Sequence, residues 1–108
     1  TELPRFYEAV GLVIRQQVVA SLRELAVSLG PAAHGTEWHL FGSVERDEPD
    51  AEDIDLMIIC NSDNQADALR GALDPETFAP HLHLAFLTFD EATEINAVRV
   101  QRSRVIFP

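Results

Sequence analysis

Seven residues, Ile54-Asp55-Leu56-Met57-Ile58-Ile59-Cys60, constrain this chain more than any other stretch. The run reads as a strand, the most apolar of the chain, yet it is headed by two carboxylates, Asp53 and Asp55. Alternate side chains of an extended strand share a face, so Asp53 and Asp55 are expected to point the same way, close enough to share a divalent cation. Carboxylates interleaved with Ile54, Leu56, Ile58 and Ile59 need a compensating cation or partner. Separated from Asp53 by nine intervening residues, another apolar run closes in Leu40-Phe41-Gly42-Ser43. Gly42 lets the backbone turn sharply and come close to a ligand. Ser43 is expected to cap a short helix, whose free N–H groups favour a phosphate. Together the two segments form a layout for holding a metal and a phosphate.

The rest of the chain supplies a frame for that layout. Leu3, Phe6, Val10, Val13, Ile14, Val18, Leu22, Leu25 and Leu29 recur at a helical period. They predict one long helix that ends at Gly30-Pro31, with a loop over 31–36. Residues 37–41 read as a strand, and 47–52 as a loop. Asp63 to Leu73 reads as a helix with Ala66, Leu69 and Leu73 inward, ended by Asp74-Pro75. Residues 81–88 alternate as a third strand. Asp90 to Gln101 reads as one helix with Asp90 at its cap and Ile95 and Val98 inward, and 105–107 as a short edge strand. No repeat or low-complexity segment interrupts the chain. The expectation is a single α+β domain over 1–108, a small mixed sheet packed against helices.

Composition narrows the partners. The 108 residues carry 18 acids against 8 bases, a net charge of −10, and no Lys. Such a surface repels a phosphate backbone, so nucleic acid is not an expected partner. A nucleotide together with a basic protein partner suits it better. Seven acids, Glu45, Asp47, Glu48, Asp50, Glu52, Asp53 and Asp55, crowd into eleven residues relieved only by Arg46. Glu48, Asp50 and Glu52 read as a solvated loop; Asp53 and Asp55 do not. An acidic site of this kind is expected to bind a triphosphate only through a cation. No apolar run approaches the ~20 residues needed to cross a bilayer. No basic segment precedes an apolar one as in a signal peptide. The lone Cys60 cannot form an internal disulfide and reads as a buried, inert thiol, which fits a cytoplasmic protein. Trp38 and Phe41 read as core, and His34 and His39 as surface or core-edge residues.

Gly42-Ser43, a spacer and Asp53-x-Asp55 resemble the motif of the DNA polymerase beta-like nucleotidyltransferase superfamily. The short chain looks like its minimal nucleotidyltransferase (MNT) family. The likeness covers the layout of residues 36–107, while only 41–56 carry motif residues. It implies the nucleotidyltransferase fold and Mg²⁺, with Mn²⁺ a possible substitute, held by Asp53 and Asp55. It implies ATP as substrate, its phosphates gripped by Gly42 and Ser43. Members are commonly encoded beside a helical HEPN partner and act as antitoxins, and several transfer AMP from ATP onto a tyrosine of that partner. Arg46 matches a basic position of the family segment Gly-Ser-Arg-Ala-Arg-Gly. It can contact a phosphate, contact the partner, or simply neutralise its acidic neighbours.

Three positions depart from the family pattern. Val44 stands where an Arg often follows Gly-Ser, and Asp47 where a Gly often sits. His83 stands where a third carboxylate completes the metal site of active relatives. An imidazole is a poor Mg²⁺ ligand but a good base near neutral pH. His83 is therefore either a working base or the mark of lost transfer activity. His81 and His83 alternate on one face, so a transition-metal site beside Asp53 and Asp55 is a further alternative. Two function classes follow: a metal-dependent enzyme that transfers a nucleotide to a protein hydroxyl, and an antitoxin that neutralises its partner by contact alone.

Overall fold

The computed structural model describes residues 15–49, 51, 53–74 and 82–108. Helix α1 runs from Arg15 to Ser28 and buries Val18, Leu22 and Ala26, one residue per turn, together with Val19. That stripe is what the apolar period demands. The period's positions before residue 15, His81, and the loop acids Asp50 and Glu52 lie outside the described residues. The chain leaves α1 through Gly30, at φ +58, into a short 3₁₀ turn, Gly30–Ala33, where a plain loop was expected. Pro31 suits that turn because its fixed φ is already helical and its missing N–H has no partner to lose.

Strand β1 spans Glu37–Phe41, helix α2 Gly42–Glu45 and strand β2 Ile54–Cys60. Helix α3, Asp63–Ala72, crosses to strand β3, Leu82–Thr88. Two short helices, α4 (Phe89–Glu94) and α5 (Ala97–Gln101), lead to strand β4, Arg104–Phe107. The four strands form one mixed sheet in the order β3-β2-β1-β4. β2 pairs parallel with β3 through the α3 crossover, and antiparallel with β1. β1 also pairs antiparallel with β4, where the register shifts between Trp38 and His39. The three strands expected to meet do share a sheet, and the α+β architecture is as the sequence implies.

The two faces of the sheet differ. On one face Trp38, Leu40, Leu56 and Ile58 pack with Val18 and Leu22 of α1 and Leu69 of α3, all of them fully buried. Trp38 also meets Phe107 edge-on at 5.9 Å. Its indole N–H donates to Thr36 Oγ1 at 3.1 Å, and that hydroxyl donates to the Ala33 carbonyl at 2.7 Å, so the polar atoms buried with the ring are satisfied. The opposite face holds a smaller cluster of Met57, Ile59, Ala92 and Ala97, with Phe41, Leu87 and Phe89 half-buried around it.

The C-terminal segment corrects two expectations. The single helix over 90–101 is two, because Asn96 sits at φ +55 and breaks the ladder. The cap of α4 is Thr88, not Asp90. Thr88 Oγ1 accepts from the Glu91 N–H, and the Glu91 carboxylate accepts from the Thr88 N–H, a reciprocal pair that holds the helix start. Breaking the helix also rotates its apolar residues outward: Ile95 is 60 % exposed and Val98 37 %. Cys60 is buried as expected, and desolvation pushes its thiol up in pKa against a smaller opposing pull from Arg70. Among the described residues no helix is long and apolar enough to cross a membrane.

Candidate functional site

The site forms where β1 ends and α2 begins. Gly42 takes φ +77, a conformation other L residues adopt only at a cost. It also lies flush against Asp55. A Cβ on residue 42 would collide with the Asp55 carboxylate oxygen and sit 3.2 Å from its carboxyl carbon. Register explains the contact, since Phe41 pairs with Asp55 across β1 and β2 and the next residue turns over that carboxylate. The glycine is thus required twice, for its dihedral and for the space a side chain would fill.

Asp55 has a second neighbour. In the parallel pair it stands opposite His83, and His83 Nδ1 lies 3.5 Å from Asp55 Oδ1. His83 is well exposed and Asp55 is partly so, with 61 % and 27 % of their side chains accessible. The carboxylate therefore keeps access to solvent or a ligand. Asp53 precedes the strand by one residue and is exposed. Gly42, Asp55 and His83 are thus brought together from three segments of chain. Among the described residues no three His, Cys, Asp or Glu side chains converge on a common point.

Ser43 is not the cap of α2. The helix begins at Gly42 with Phe41 in the cap position, and no side chain caps it, which leaves Ser43 inside the first turn and half-buried. The departures at 44 and 47 have structural roles. Val44 is fully buried in the main core, and Asp47 takes φ +55, the conformation glycine tolerates most easily. Arg46 ends α2, and its Nε donates to Glu48 at 2.6 Å on the surface.

Sequence reasoning missed the basic half of the site. Glu45, read as one more member of an acidic run, keeps only 8 % of its side chain exposed. Arg15 Nε and Nη2 donate to its Oε1 at 3.0 and 2.7 Å. Arg104 Nε approaches Oε2 at 3.1 Å. These three residues are clamped together at the mouth of a cavity of about 540 Å³, which Gly42, Arg46 and Arg102 also line. Four of the eight arginines in the chain meet here. The sequence separations from Glu45, 30 residues to Arg15 and 59 to Arg104, leave no local signal that could have revealed the clamp.

The turn carrying Arg102 and Arg104 is itself anchored. Ser103 Oγ lies 3.2 Å from Nδ1 of the buried His39, whose Nε2 lies 3.0 Å from Glu37 Oε1. His39 was expected at the surface or the edge of the core. It is instead the interior link of a chain that ties β1 to the α5–β4 turn.

Comparison with family models, curated proteins and solved structures returns no match. The functional reading therefore rests on the residues and their arrangement.

Proposed function

We propose that this chain is a minimal nucleotidyltransferase-like protein of antitoxin type, transferring AMP from ATP to a hydroxyl of a HEPN-type protein partner in the cytoplasm. The observation that carries the proposal is that Gly42, Asp55 and His83, from three segments of chain, meet at one place with Asp55 open to a ligand.

The donor set fits Mg²⁺ or Mn²⁺. Mg²⁺ is commonly held by one or two carboxylates, with phosphate oxygens and water filling the remaining positions. Asp53 and Asp55 would hold it. When bound, the cation supplies charge stabilisation for the reacting phosphate and the departing pyrophosphate. The chain's own residues do the rest. Gly42 lets backbone approach the ligand, Ser43 offers a hydroxyl to a phosphate oxygen, and Arg46 offers a guanidinium. In the transfer the acceptor oxygen bonds to the α-phosphorus, the α–β phosphoanhydride bond breaks, and pyrophosphate leaves. With His83 Nδ1 beside Asp55, Nε2 is the ring nitrogen left to accept the proton of the attacking hydroxyl.

A second reading is an MNT-fold antitoxin that is catalytically weak or inactive and acts by contact. His83 in place of a carboxylate favours it. So does the exposed apolar surface, for four of the five exposed large apolar side chains among the described residues, Ile95, Val98, Val100 and Val105, fall within one short segment.

Labelled ATP, Mg²⁺ or Mn²⁺ and the product of the neighbouring gene separate the two. Weak transfer by the wild type, a gain with His83→Asp and loss with Asp55→Asn are expected, because an aspartate at 83 completes a hard-cation site and still accepts a proton, whereas His83→Ala, which removes the acceptor, should lose transfer. No transfer by either wild type or His83→Asp, with partner neutralisation surviving Asp55→Asn, rejects the enzyme and leaves the binder.

A further inference from the structure

The cavity beside Gly42 draws bases out of a chain that has few. The protein carries a net charge of −10, yet this one concavity is lined by Arg15, Arg46, Arg102 and Arg104 against one carboxylate, Glu45, and with Glu48 paired to Arg46 beside it two positive charges remain in surplus. Like charges brought together in a partly enclosed space repel, so the arrangement stores unfavourable energy unless an anion relieves it. Glu45 relieves only part. Arg104 meets it through Nε, and Arg46 likewise spends Nε on Glu48, so the terminal nitrogens of both guanidinium groups remain as donors. Arg102 is exposed, and no hydrogen bond or ion pair of its side chain is found among the described residues. Its backbone sits at φ +52, a left-handed conformation that disfavours a non-glycine residue. Ser103 and the buried His39 pin the turn that imposes it.

We propose that this cavity is a binding site for a small, multiply charged phosphate anion, such as pyrophosphate or the oligophosphate tail of a nucleotide, with Arg102 and Arg46 as its grips and the Glu45 clamp holding Arg15 and Arg104 in place. The planar fork of arginine matches phosphate oxygens in pairs. A volume of about 540 Å³ is within the ordinary range for a small-ligand pocket. Two surplus charges suit an anion of two or more charges better than a lone carboxylate. The acidic surface beyond the cavity opposes an extended polyanion, so nucleic acid is disfavoured. Neither a cation nor Asp55 is needed for this binding, and the site therefore stands or falls separately from metal-dependent transfer.

Calorimetry with pyrophosphate in the presence of chelator tests it. The wild type is expected to bind, and Arg102→Asn, which keeps a residue tolerant of left-handed backbone, to weaken binding at least tenfold. Arg102→Lys should recover part of the loss. Arg70→Gln, on the far helix α3 where Arg70 pairs with Asp67, should bind as wild type does. Circular dichroism of each variant separates lost binding from lost folding. Comparing ligands then identifies the source: equal affinities for ATP and pyrophosphate, with AMP at least tenfold weaker, assign the free oligophosphate group, and a tenfold preference for ATP assigns the nucleotide. No binding by the wild type, equal binding by Arg102→Asn, or an equal loss in Arg70→Gln overturns the proposal.

Discussion

Gly42 divides two regions of opposite charge that solve the problem of an anionic ligand in different ways. On one side Asp55, with His83 opposite in the next strand, presents a carboxylate that can meet a phosphate only across a cation. On the other, arginines from α1, α2 and the α5–β4 turn line the cavity proposed above to take phosphate without a cation. The acidic side is built from strand register, which sets Asp55 opposite His83 across the β2–β3 pair. The basic side is assembled from residues up to 89 positions apart, Arg15 and Arg104, joined through Glu45. Clustered acids in a sequence do not make an acidic site when the fold brings distant bases to face them.

The largest effect is expected from Gly42→Ala, which strikes both regions. The methyl group meets the Asp55 carboxylate and must hold φ near +77, so a stability loss of about 2 kcal/mol or more is expected, a drop of roughly 10 °C in melting temperature for a domain of this size. Thermal unfolding measures it, and an unchanged midpoint would mean that the close packing is not a constraint. Next, Asp55→Asn should abolish the gain in ATP affinity that Mg²⁺ provides, an effect of at least tenfold or about 1.4 kcal/mol, while pyrophosphate binding in chelator stays within about twofold. Calorimetry with and without chelator checks both halves. A variant that lost both together would break the distinction between the regions.

Smaller again is Glu45→Gln. The nearly buried carboxylate bridges Arg15, 30 % exposed, and Arg104, 76 % exposed, so solvent screening discounts the pair and a loss of about 1 kcal/mol in urea denaturation is expected. A loss near zero would show that the cavity wall holds without its clamp.

The smallest effect belongs to Cys60, at the opposite end of β2 from Asp55. Burial raises its pKa above the ordinary thiol value of 9.0, so the unfolded chain gives up the proton first as pH rises. Its contribution is therefore intact below that value and declines as pH climbs through it. Urea midpoints measured on either side of pH 9 should show this slope in the wild type and not in Cys60→Ala. The same titration leaves the ligand regions untouched and so serves as their control.

Much of the acidic side was legible because its cause is local. The near-continuous apolar run over 54–60 marks a strand buried on both faces, and a Gly-Ser turn next to an apolar run marks where backbone must bend. Register then followed, and with it His83 beside Asp55. The cap at Ser43 was misplaced by two residues, since the helix starts at Gly42 and the cap falls on Phe41. The helix over 90–101 misread for a related reason. Apolar spacing at Ile95 and Val98 fits a helical period, but left-handed Asn96 interrupts it and turns both residues outward.

The sequence by itself determined the strands, the apolar faces that pair them and the tight glycine turn, because each follows from side-chain period and backbone freedom within a few residues. Only the tertiary structure decided the charge of the site. Electrostatic attraction depends on distance in space, and the distances that count, Arg15 and Arg104 to Glu45 and four arginines to one cavity, are set by how α1 and β4 dock on the sheet.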